Sequence, residues 1–169
     1  GGNEFRTFDL RHHQQIRYNI ERYAYTDTVT WAQLRLDRPR NRNTYRTEPD
    51  LNGQFYLGTR GTDFIAETEA DYFKVHFRLA VSRPLPPGEQ VYVFGQLTDW
   101  QLDDRFRLAY TPEAGPEGEG LYQTAPLLKQ GVYDYQYVVA DEAGQIDEAR
   151  IEGSHFETEN YYTILVYFK

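Results

Sequence analysis

The sequence predicts an all-β protein built as a β-sandwich, and three observations lead there. Fifteen Tyr and ten Phe among 169 residues fall in short runs separated by Pro and Gly, the composition of strands joined by turns. Val91-Tyr92-Val93-Phe94 is an apolar run closed by Gly95, with Thr98-Asp99-Trp100 just beyond. It reads as a buried strand entering a turn, with the indole folded back over the strand's end. In Gly131–Val139 the aromatics recur at every second position, so Tyr133, Tyr135 and Tyr137 share a face with Val139.

Taken in order, Glu4–Leu10 reads as a strand. In Ile16–Tyr23 the positions Ile16, Ile20 and Tyr23 fit a helical stripe and Ile16, Tyr18 and Ile20 fit a strand; the surrounding composition favours the strand. Thr26-Asp27-Thr28 is a turn into Val29–Leu36, and the polar stretch Asp37–Pro49 reads as a long exposed loop. Asn52-Gly53 signals a tight turn before the short strand Gln54–Leu57. From Tyr72 to Val81, Phe73, Val75, Phe77, Leu79 and Val81 lie on one face, with Lys74, His76 and Arg78 on the other. This is an antiparallel strand with one dry and one wet side. Pro84, Pro86, Pro87 and Gly88 end it. Arg105–Tyr110 and Leu121–Thr124 follow, Leu128–Gly131 turns into the tyrosine strand, Asp141–Gly153 is polar, and Tyr161–Phe168 is the closing strand, paired inside the sandwich. Seven short strands in about 100 residues describe an immunoglobulin-like sandwich over 67–169. A boundary is placed near residue 66, with 1–66 a strand-rich segment that reads as part of a truncated β domain.

Composition narrows the function. Cys is absent, which removes disulfides, thiolate metal sites and cysteine nucleophiles. Met is also absent and the chain starts Gly-Gly-Asn, so a processed product or excised domain is expected. A net charge of −8 disfavours nucleic acid. The longest apolar run, Tyr161–Phe168, falls far short of the ~20 residues a membrane-spanning helix needs. No nucleophile elbow or phosphate-cradling glycine loop occurs, so no enzyme and no cofactor are expected. His12 and His13 are adjacent and in a strand would point to opposite faces. With His76 among cations and His155 alone, they make no metal site. Asp103-Asp104, Asp141-Glu142 and Asp147-Glu148 lack calcium-loop spacing and read as solvated loop charges. The tyrosine stripe is expected to face the core, its hydroxyls reaching the rim.

Two resemblances follow from these segments. Val91–Gly95, Thr98-Asp99-Trp100, Leu128–Gly131 and Tyr135-Gln136-Tyr137 resemble the early-set immunoglobulin-like domains related to glycogen-binding modules. Gly2–Arg6 with Phe8-Asp9, Asp71-Tyr72 with Val75-His76-Phe77, and Glu152–Tyr162 resemble the type IX secretion system plug proteins of Bacteroidota, in their C-terminal part. The second resemblance implies a periplasmic, non-enzymatic protein that docks on a very large outer-membrane β-barrel translocon and closes its periplasmic mouth. The first implies, as the alternative, a carbohydrate-binding module. Such modules use two tryptophans and a lysine on one exposed surface. Here Trp100 falls at the first tryptophan position, Gln136 at the lysine position and Asn160 at a polar ligand position, while the Asp141–Asp147 loop holds no second tryptophan. With one platform and the cation missing, Trp100 is expected to be a packing residue.

Overall fold

The computed structural model describes residues 5–11, 19–41, 51–58, 71–153 and 166–167. In chain order its strands are β1 (Arg6–Asp9), β2 (Ile20–Tyr25), β3 (Thr30–Leu34), β4 (Phe55–Leu57), β5 (Tyr72–Val81), β6 (Gln90–Phe94), β7 (Ala109–Thr111), β8 (Gly120–Thr124), β9 (Leu127–Lys129), β10 (Gly131–Ala140) and β11 (Ile146–Asp147). One helical turn, α1 (Ala149–Glu152), follows. They form two sheets, so the fold is all-β.

Each sheet is organised by one ten-residue strand. Along β10, the first half pairs antiparallel with β1 and β4 and the second half with β6 and β11. β5 pairs antiparallel with β9 and β8 and parallel with β3; β2 extends the sheet beyond β3 and β7 beyond β8. The parallel pair has a topological cause. The chain leaves β3, contributes β4 to the other sheet, and only then returns as β5. The strands before residue 66 thus belong to the same two sheets as those after it, and the strand pairing has no break at that position.

The sheets meet through the alternation read from the sequence. Phe73, Val75, Phe77 and Leu79 of β5 are buried against Tyr133, Tyr135, Tyr137 and Val139 of β10, with Phe8, Ile20, Ala32 and Leu34 completing the core. The rings interlock edge to face: Phe8 on Phe77 at 5.6 Å and Phe77 on Tyr135 at 5.1 Å between centroids. Such pairs contribute about 0.5–1.5 kcal/mol each beyond their buried area.

The outer face of β10 is buried too. Asp134, Gln136, Val138 and Ala140 all lie under cover. Val138 and Ala140 pack with Tyr92 and Phe94 beneath Leu102 and Ile146. At the other end, Asp134 accepts the Thr7 hydroxyl at 2.6 Å, the Gly53 amide at 3.1 Å and the Leu51 amide, which holds the Asn52-Gly53 turn against the sheet. Asn52 and Gly53 have φ of 54° and 78°. A Cβ on Gly53 would collide with the Trp100 and Phe5 rings, so this turn needs glycine for space as well as for φ.

Several expectations change. Leu127–Lys129 is a strand rather than only a turn, because β5 is long enough to pair with it and with β8 in succession. Asp37, placed in an exposed loop, is buried and bridges to Leu79 of β5. Within the polar stretch 141–153 the chain makes β11 and α1 and buries Glu152. The Ile16–Tyr18 part of the ambiguous segment and most of the closing strand 161–168 lie outside the described residues; Val166 and Tyr167 are exposed.

Candidate functional site

Trp100 behaves partly as expected. Its amide donates to the Gly95 carbonyl at 3.0 Å, and its ring folds back onto Phe94 and Phe5, at 5.8 and 5.9 Å edge to face. It nevertheless remains 45% exposed, between a buried packing residue and an open platform. Gln136 is 1% exposed and donates to Glu148 at 3.2 Å, so it offers no group to solvent. Asn160 lies outside the described residues, as do His12, His13 and His155. The predicted carbohydrate ligands therefore do not gather on an exposed surface among the described residues.

The tyrosine stripe faces the core, but its hydroxyls do not all reach the rim. Tyr133 donates to the Lys129 carbonyl at 2.6 Å, whereas Tyr135 and Tyr137 donate to Asp37 Oδ2 at 2.7 and 2.9 Å. This carboxylate is the centre of a buried knot. Arg6, on β1, places its guanidinium on Asp37 at 2.8 Å, on both Glu152 oxygens at 2.9 and 3.2 Å through Nε, and on the Arg38 carbonyl at 2.9 Å. Glu152 also accepts the Tyr137 amide at 2.9 Å. Burial opposes the Arg6 charge, but Asp37 and Glu152 outweigh it and strengthen the hold on its proton. Burial first, and Asp37 second, push both tyrosines well above their ordinary range, so they are hydrogen-bond donors at any physiological pH. The knot joins β1, the Asp37 segment, β10 and α1 without opening to solvent, which suits structure rather than catalysis.

Clefts among the described residues offer little chemistry. One of about 630 Å3 is lined by Glu89, Asp141, Asp147, Glu148 and Arg150. Its acids are engaged: Asp141 accepts the Ala143 and Gln145 amides, Asp147 those of Ala149 and Arg150, and Glu89 pairs with Arg150 at 3.2 Å. Among the described residues no three metal-ligating side chains come together. The other cleft, about 370 Å3, lies under Arg38, Arg83 and Arg150, with Val91, Leu85 and Ile151 in its wall. Arg38 is already paired with Glu119 at 2.7 Å.

The surface with the most to offer a partner is the outer face of the six-stranded sheet. Register arranges it as rows across the strands. Ala24, Trp31, Lys74 and Leu127 form one row, Arg22, Gln33 and His76 the next, and Arg78, Gln123 and Ala109 a third; Tyr72 faces Lys129 at the near end. Neighbours in a row are ~4.8 Å apart and successive rows ~7 Å apart. Lys74 Nζ sits 4.8 Å from the Trp31 ring centre and Lys129 Nζ 5.6 Å from that of Tyr72. Tyr72 and Leu127 are 51% and 55% exposed. Glu21 is the acid here, engaged by Arg78 and by Gln33 at 3.0 Å. The Gln33 amide, with Arg78, holds its carboxyl below the usual range. His76 bonds Gln123 at 3.1 Å, and burial, aided by Arg78 and Arg22, lowers its proton affinity despite that bond. The alternation in β5 exposed Lys74, His76 and Arg78 to sequence reasoning. Trp31 and Leu127 escaped it, because their facing follows from pairing partners far away in the chain.

No family model matches the chain, and no curated protein does. Among solved structures it is similar to a hypothetical protein from Parabacteroides merdae ATCC 43184, with a TM-score of 0.79 and 31% identity over 93% of this chain. The chain spans 38% of the length of that relative.

Proposed function

We propose that this chain is a non-enzymatic docking component of a type IX protein secretion system, seated at the periplasmic mouth of the outer-membrane translocon as a plug, and that its two sheets are an early-set immunoglobulin-like sandwich. One observation carries the reading. Described residues from the segments that resemble the plug proteins, far apart in the chain, meet in the folded structure: Arg6 binds Glu152, and Phe8 packs on Phe77. A shared fold would bring such residues together. A plug needs a rigid body and a face complementary to its seat, held weakly enough to release. A ten-residue central strand buried on both faces, β10, supplies the first. Among the described residues no helix is long and apolar enough to cross a membrane.

The second reading is a carbohydrate-binding module, and the half-exposed Trp100 ring is the observation in its favour. The burial of Gln136 weighs against it. The test is affinity capture of detergent-solubilised outer membranes, from a bacterium carrying this secretion system, on the tagged chain. Retention of a very large barrel protein, competed by untagged chain, supports the plug; glycan retention lost in Trp100→Ala supports the alternative.

A further inference from the structure

We infer that the outer face of the six-stranded sheet is the docking surface, and that its partner is an acidic protein surface. The face concentrates positive charge on a chain whose formal net charge is −8. Arg22, Lys74, Arg78 and Lys129 stand there, and Glu21 beside them is already paired with Arg78. Lys74 has no carboxylate partner among the described residues; its amine rests over the Trp31 ring, so its charge is positioned but not neutralised. A partner bearing carboxylates would meet that charge without displacing an existing ion pair, whereas the same cationic face of a second copy would be turned away.

The apolar content selects protein over a polyanionic polymer. Tyr72 and Leu127 are more than half exposed and lie on neighbouring strands, Lys74 stands between Leu127 and Trp31, and Arg22 with Gln33 and Arg78 with Gln123 follow in the next rows to one side. Exposed aromatic and aliphatic side chains interleaved with arginine and lysine match the composition of a protein interface, where Trp, Tyr and Arg dominate the binding energy. A polysaccharide or nucleic acid would use the cations and the rings but has nothing to place against Leu127.

This inference rests on the proposed docking role for the partner's identity, but not for the location or chemistry of the face. The experiment is the same outer-membrane capture, performed with three proteins: the unaltered chain, a face variant carrying Lys74→Glu and Lys129→Glu, and a control carrying Arg83→Glu and Arg105→Glu elsewhere. All three must show the same thermal midpoint. Retention of the large barrel by the unaltered chain and the control, weakened about thirtyfold in the face variant and lost with added salt, supports both the face and the plug. A Tyr72→Ala, Leu127→Ala variant with intact charges should weaken retention to a similar extent. If the barrel is held equally by the face variant, the plug stands and the face is overturned. If the barrel is not held, but another protein is held and released by the face variant, the face stands and the plug reading fails. The inference is also overturned if nothing retained depends on the face, or if the retained material survives complete proteolysis as polysaccharide or nucleic acid.

Discussion

Replacing Arg6 by Met should expose the energetics of the buried knot. Arg6 is 4% exposed and binds Asp37, Glu152 and the Arg38 carbonyl. The side chains of Asp37 and Glu152 are themselves 8% and 1% exposed. Methionine fills similar space but leaves two carboxylates buried with no cation, a change that costs about 3–5 kcal/mol when one partner of a buried pair is removed. Glu152→Gln is milder, because Arg6 and Asp37 remain as a neutral pair; it should cost about 1–2 kcal/mol in charge-assisted hydrogen bonds. The double variant should be less destabilised than the sum of the two by about 1–3 kcal/mol, since the second change removes a charge that the first strands. Urea unfolding at neutral pH, with the slopes compared, measures all three. A loss below about 1 kcal/mol for Arg6→Met, or strict additivity in the double variant, would refute the view that these charges balance one another.

Tyr137→Phe should cost about 1 kcal/mol, a single buried hydrogen bond to Asp37; denaturant midpoints report it. Gly53→Ala should cost more than an ordinary turn substitution, because φ is 78° and the new methyl meets Trp100 and Phe5; a shift of under about 1 °C in thermal midpoint would contradict the packing described. Trp100→Ala should lose roughly 2 kcal/mol, about half the cost for a fully buried tryptophan, consistent with a ring 45% exposed. Stability should depend on pH in two windows. The folded state lowers the proton affinity of His76, so its contribution is complete above the unfolded value of 6.5 and falls away as pH drops below it. Glu21 and Asp103 are also held low, Asp103 first by the Arg105 side chain, so their contributions persist above unfolded values of 4.5 and 3.8 and are lost as pH falls through the folded ones. Unfolding curves at pH 8, 5.5 and 3 should show both steps, and His76→Gln should remove the first.

Local pattern carried much of the architecture into view. The alternation in β5 named its buried and wet faces, and Gly95 with Trp100 marked a strand end whose indole does fold back. Thr26 closes the turn foreseen there, its hydroxyl donating to the Val29 carbonyl at 2.7 Å. What pattern missed depends on distance. Arg6 and Glu152 are 146 positions apart, and Arg6 and Asp37 31, so nothing local marks a charge in a polar stretch as the counter-ion of another. Gln136 was matched to a ligand position by its place beside two tyrosines. Its burial comes from α1 and its neighbours, because Glu148 lies just before that helical turn. The outer sheet face was half legible: its cations sit in one strand, but Trp31 and Leu127 join them only through the parallel pairing of β3 with β5 and the short strand β9.

The proposed docking on an outer-membrane translocon through the outer face of the six-stranded sheet can be seen directly. An electron cryomicroscopy reconstruction of the translocon purified with this protein bound tests it most directly. Density for the two-sheet body is expected at the periplasmic mouth, with Trp31, Tyr72, Lys74 and Leu127 against acidic residues of the barrel. Absence of the protein from the mouth, or a seat formed by the opposite sheet with that face turned to water, would contradict it.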